Sequence, residues 1–237
     1  MQDMTRQALF ALGLLLLFLA ILFELGSVAL LGRAATSAGL TDMPRPGLGI
    51  RAGAIVDLVL LYSLAILAAD FIGPLRAVIG RVQGIVTFVL ALTGFFASVA
   101  MIYAAIAALI LMVAFLLAVP FGTMIYMFTW SQFDTTSART LLALVMNLKL
   151  AGLLLLWLSN PMLIKNKGFV LLVASSLVVN FVLGFLIAWP PGFLASITDA
   201  IGAIIAGIVA AVWMVIFLIG AVPAVAKALR SLVPKPV

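Results

Sequence analysis

Neither cysteine nor histidine occurs in this 237-residue chain. Without cysteine there is no disulfide, no thiolate metal site and no sulfur nucleophile. Without histidine there is no His-ligated haem, no HExxH zinc centre and no Ser–His base pair. Most intramembrane protease and oxidase chemistry goes with them. Charge is scarce too, at 8% of residues against about a quarter in an ordinary soluble domain. Thirteen Lys and Arg with seven Asp and Glu cannot clothe a water-facing surface for a chain of this size. No P-loop, GxGxxG, GxSxG or EF-hand pattern is present. The net charge of +6 is spread one or two residues at a time, which excludes a nucleic-acid footprint.

What the chain has in abundance is hydrocarbon. Its hydrophobic fraction is 67% and its mean hydropathy is +1.40. A bilayer core about 30 Å thick takes roughly 20 apolar residues per helix, so six or seven crossings use up the chain and leave no room for a soluble domain. Runs such as Leu12–Phe23 and Leu150–Leu158 are apolar on every face. A membrane β-barrel would alternate in polarity instead. The expected fold is therefore all-α, a polytopic transmembrane helix bundle forming one integral membrane domain over 1–237.

The expected spans are about 8–31, 52–71, 84–119, 140–158, 169–188 and 200–220. The first apolar run, Ala8–Leu31, exceeds the 7–15 residues of a secretory h-region and reads as an uncleaved span. Thr41–Gly47 carries turn residues in the longest polar loop. Gly73-Pro74 ends span 2, leaving Arg76 and Arg81 in an amphipathic linker. Gly84–Trp130 contains 47 residues without a charge, with Pro120-Phe121-Gly122 as its punctuation. One long helix within 84–119 is preferred, with Phe121–Trp130 as an interfacial piece anchored by Tyr126 and Trp130. The same stretch also admits two crossings and a seven-span chain. Asn160-Pro161 stops span 4, and Lys165–Gly168 is a loop. Ser196-x-x-Asp199 resembles a capping box before span 6, and there Asp199 gains from the helix dipole. Pro223 kinks or ends span 6, and 224–233, with Lys227 and Arg230, is a basic amphipathic tail.

With six spans, Arg6, Arg76, Arg81, Lys165, Lys167, Lys227, Arg230 and Lys235 share one side. Arg33, Arg45, Arg51 and Arg139 lie on the other. That bias puts both termini in the cytoplasm, with a bacterial inner membrane as the expected home. Seven spans would place the N-terminus outside, with Arg6, Arg76, Arg81 and Arg139 facing eight basic residues.

The informative residues are those that cost most to bury in lipid. Glu24, Asp57 and Lys149 fall inside spans, at depths that let them meet in the outer half of the membrane, and Asn147 is close enough on span 4 to add hydrogen bonds. Lys149 is expected to pair with Glu24 or Asp57. Where all three meet, one acid is in excess, and the site is either a structural ion pair or a proton or cation site. Asp70 reads as an interfacial partner of Arg76 or Arg81. Ala203, Ala206, Gly207, Ala210 and Ala211 form a small-residue face, for an oligomer or pore on one reading and for packing within the chain on the other. Ala100, Ala104, Ala107, Ala108 and Ala114 form a similar set on the long helix. Ser175, Ser176 and Asn180 read as interhelical hydrogen-bonding groups. No metal site and no cofactor is expected.

Three roles follow. The first is a small channel, pore or transporter component, as a homo-oligomer or with other membrane subunits, in the lipid bilayer. The second is a non-catalytic anchoring or scaffolding subunit. The third and weakest is a lipid-modifying enzyme. Because the chain lacks cysteine, its topology can be read by labelling. Single cysteines introduced by Gln2→Cys and Val237→Cys are expected to react with an impermeant maleimide from the same, cytoplasmic side; labelling from opposite sides would establish an odd number of crossings.

Overall fold

A computed structural model describes residues 2–37, 47–69, 73–118, 135–160, 165–188 and 195–232. These residues form six long helices: α1 (Gln2–Ser37), α2 (Leu48–Ala69), α3 (Gly73–Ala118), α4 (Thr135–Ser159), α5 (Lys167–Ala188) and α6 (Ala195–Leu232). Each contains a stretch long and apolar enough to cross a membrane. The protein is an all-α transmembrane bundle. Every backbone group inside lipid must find its partner within the chain, and helices satisfy this locally.

Several helix ends differ from those expected. Pro74 lies in the first turn of α3, where its missing N–H costs nothing. Arg76 and Arg81 therefore belong to the long helix and not to a linker. That helix is continuous over 46 residues, about 69 Å. The piece Phe121–Trp130, with Tyr126 and Trp130, lies outside the described residues, as does Asp70. Thr135–Arg139 is the start of α4, ahead of the expected span start at 140. Pro223 does not end α6, which runs on through the basic segment to Leu232. Asn166 caps α5: its Oδ1 accepts from Phe169 N at 3.2 Å and its carbonyl accepts from Val170 N at 3.1 Å.

The helices associate as two antiparallel pairs around α2. In the first pair, α1 lies along α4. A Cβ on Gly13 would meet the Gly152 carbonyl oxygen at 2.9 Å, and one on Gly152 would meet Leu17 Cγ at 2.7 Å. Only glycine allows two backbones this close, and in lipid such close packing is a main source of helix association. In the second pair, α3 lies along α6. Gly84 faces Ala224, and Gly207 faces Ile102 and the Ser98 carbonyl. The buried face of α3 is Ala91, Ser98 and Ala105, spaced by sevens.

Helix α2 packs against α1, α3, α5 and α6. Its span is 56% buried, more than that of any other helix. Tyr62 on α2 hydrogen-bonds Thr87 of α3 and meets Phe217 of α6 edge-on at 6.4 Å between ring centroids. Leu183 of α5 seats against Gly49 and Gly53 of α2 and Gly202 of α6. A leucine introduced at Gly152 is expected to lower stability by about 1–3 kcal/mol through overpacking, read as a lower thermal midpoint in detergent. Gly220→Leu, where nothing lies within 4 Å of the added carbon, is expected to leave it unchanged.

Candidate functional site

The innermost part of this oily bundle is charged. Glu24 of α1, Asp57 of α2 and Lys149 of α4 are each 0% exposed. Lys149 Nζ donates to Asp57 Oδ1 at 2.5 Å and to Glu24 Oε2 at 3.2 Å. Its third contact is Ser176 Oγ of α5, also buried, at 3.0 Å. Ser176 in turn donates to Asp57 Oδ1 at 3.0 Å. Four helices therefore converge on one ammonium group, and the three donors that a lysine carries are all used.

Depth follows from the helix ends. Asp57 lies nine residues from the start of α2, about 14 Å, and Ser176 lies nine residues from the start of α5, also about 14 Å. The two helices run antiparallel, with Gly49 beside Leu183 at one end. The cluster thus sits near the middle of a 30 Å hydrocarbon layer, deeper than the outer-half level expected from the sequence. The shift arises because α2 begins at Leu48, four residues before the expected start.

The pairing leaves an imbalance. Two carboxylates share one ammonium, and Glu24 Oε1 and Asp57 Oδ2 are buried without a hydrogen-bond partner. Asn180 is buried one turn beyond Ser176 on α5, and its Nδ2 likewise lacks a partner. Asn147 does not join the cluster. It is exposed, because two residues of helix turn it about 200° away from Lys149. Ser176 fills the role that Asn147 was expected to take. Its neighbour Ser175 is half-buried and bonds back to the Leu171 carbonyl at 2.7 Å. The sequence signal for Ser176 was its place in a polar set with Asn180 on an otherwise apolar helix. Which of the two serines faced inward depended on helical phase.

The small-residue face of α6 is turned into the chain. Ala203, Ala206 and Ala210 belong to the core, Gly207 packs on α3, and Ala211 is half-buried at the margin. Of the alanines named on α3, Ala100 and Ala114 are exposed, while Ala104, Ala107 and Ala108 are half-buried. Asp199 lies in the second turn of a helix that begins at Ala195, so it does not form the expected box at the start of α6. Its carboxylate caps α2 instead, accepting from Leu48 N at 2.7 Å and Gly49 N at 3.1 Å. Gly47 is required beside it, because a Cβ there would stand 2.1 Å from Asp199 Oδ1. Among the described residues no group of three or more His, Cys, Asp or Glu gathers to hold a metal.

No family model, curated protein or solved structure matches this chain.

Removing the ammonium leaves two carboxylates unpaired in the interior. Lys149→Ala is expected to cost about 3–5 kcal/mol, measured by thermal unfolding in detergent. The double variant Lys149→Met with Asp57→Asn is expected to recover much of this, because the coupling between the two sites makes their effects non-additive. Equal losses in both variants would argue against the ion pair as the source.

Proposed function

We propose that this membrane protein is a channel or transporter component, and that the Lys149-centred cluster is the part that responds to the species being moved. The observation carrying this reading is the unbalanced charge. A site needed only for helix register would be served by one acid and one base, or by an uncharged hydrogen bond. A second carboxylate, held at mid-depth without full pairing, adds a cost that intramembrane acids usually bear where ions or protons pass. Helix α2, which supplies Asp57, packs against four other helices, so a change of charge at this point reaches most of the bundle. The reading includes a bacterial inner membrane, in which helix bundles span the lipid, with both termini cytoplasmic on the eight-to-four distribution of basic residues.

A second reading, a non-catalytic subunit of a larger membrane complex or of a homo-oligomer, draws support from α3. Only 11% of its span is buried inside the chain, and Tyr103 is 74% exposed within that span. A phenol in hydrocarbon needs a hydrogen-bond partner, which a second chain would supply.

Purified protein in phosphatidylcholine liposomes with a trapped pH dye is expected to pass protons under a valinomycin-imposed potassium potential. Folded Lys149→Met protein is expected to lose at least ten-fold of that flux. Absence of flux from wild type, with a different chain co-purifying in fixed ratio from mild detergent, would favour the subunit.

A further inference from the structure

The hydrogen bonds around Lys149 distinguish the two acids. Asp57 Oδ1 accepts from both Lys149 and Ser176, at 2.5 and 3.0 Å. Glu24 has one longer contact, Oε2 to Lys149 at 3.2 Å. Its other oxygen, Oε1, is buried and unpartnered. That oxygen lies beside Gly53 of α2, 3.8 Å from where a Cβ on Gly53 would stand. The charged groups facing Glu24 from the helices packed on α1 are Asp57 from α2 and Lys149 from α4. The Asp57 and Glu24 carboxylates meet at the same ammonium, each with one oxygen on Lys149 Nζ.

With every group ionised the cluster carries one net negative charge in hydrocarbon, and its two leftover oxygens are both buried acceptors with no donor. Lys149 cannot supply one, because its three N–H groups are already engaged. One added proton removes the net charge and provides the missing donor. Two carboxyl groups held this close commonly share a proton, since both cannot ionise side by side. A metal ion fits poorly. Hard cations take about six or more oxygen ligands, while the cluster offers two free carboxylate oxygens next to a fixed ammonium.

We propose that the buried centre binds one exchangeable proton, carried by Glu24 and shared with Asp57, while Asp57 stays paired with Lys149 and Ser176. The proton comes from water and neutralises the cluster, and its release returns the net negative charge. This deepens the transport reading by naming the species that the site takes up.

The test is infrared difference spectroscopy on the full chain in phosphatidylcholine liposomes, titrated with pH and with no gradient imposed. Wild type is expected to show the C=O stretch of a protonated carboxylic acid that shifts in D₂O and disappears in alkaline buffer. Glu24→Gln, isosteric with the protonated form, is expected to lose that one equivalent and keep wild-type thermal stability. Asp57→Asn is expected to be the less stable of the two neutralising variants. Lys149→Met, where it folds, is expected to gain a second protonated equivalent. Absence of the band from wild type, or its survival in Glu24→Gln, overturns the proposal. So does a reversed order of stability, which would put the proton on Asp57. Because no flux is measured, a band without proton movement would sink the transport reading alone, and movement without the band would sink only the proton assignment.

Discussion

The bundle is organised around one cation in a place without water. Lys149 contributes an ammonium at mid-depth, and α1, α2 and α5 each supply an oxygen to it. In hydrocarbon this charge has no other means of solvation, so the three oxygens must come to it and the four helices must come with them. The glycine contacts are compatible with that convergence. Gly13 and Gly152 let α1 and α4 approach backbone to backbone, and Gly49 and Gly53 receive Leu183 beside the cluster. Packing in lipid is otherwise non-directional, since the outside of the helix is as apolar as the inside. The polar contacts define which arrangement of these helices is unique.

Helix α2 is where the separate constraints meet. Its start is capped by Asp199 of α6, its ninth residue beyond that start holds Lys149 of α4, and Tyr62 near its other end binds α3. A rotation of α2 would disturb all three together. The remaining pairs, α1 with α4 and α3 with α6, are each held by small residues along their own seams and could move as units. The charge at Asp57 is therefore placed where a change in its pairing has the widest mechanical effect.

The fold class was legible in the sequence because composition leaves no alternative: a chain with this little charge needs helices in lipid. The long uninterrupted α3 was legible from the absence of any turn signal between Gly84 and Val119. Helix ends were read less well around proline. Pro74 and Pro223 are helix breakers in water, yet the first sits in a tolerated opening turn and the second is carried inside a longer helix. The intramembrane charges stood out by their cost, but their neighbours did not. Helices apolar on all sides give no amphipathic stripe, so phase is invisible. That is why Asn147 could not be separated from Ser176 as the polar companion, nor the exposed Ala100 from the buried Ala105. The cap that Asp199 places on α2, across 150 residues of sequence, has no local signature at all.

The two halves of the bundle also differ in reach. Helices α2 and α5, which contribute Asp57 and Ser176 to the buried cluster, have 22 residues each, about 33 Å, and match the oily layer upright. The apolar stretches of α3 and α6 run to 33 and 34 residues, about 50 Å. A pair that long in a layer of 30 Å must lean or locally swell the lipid around it, at a cost that grows with each ångström of mismatch. The same molecule thus contains one ruler cut to the bilayer and another cut too long, joined along α2. Thickness of the surrounding membrane consequently acts on the angle between them, and through α2 on the neighbourhood of the buried lysine.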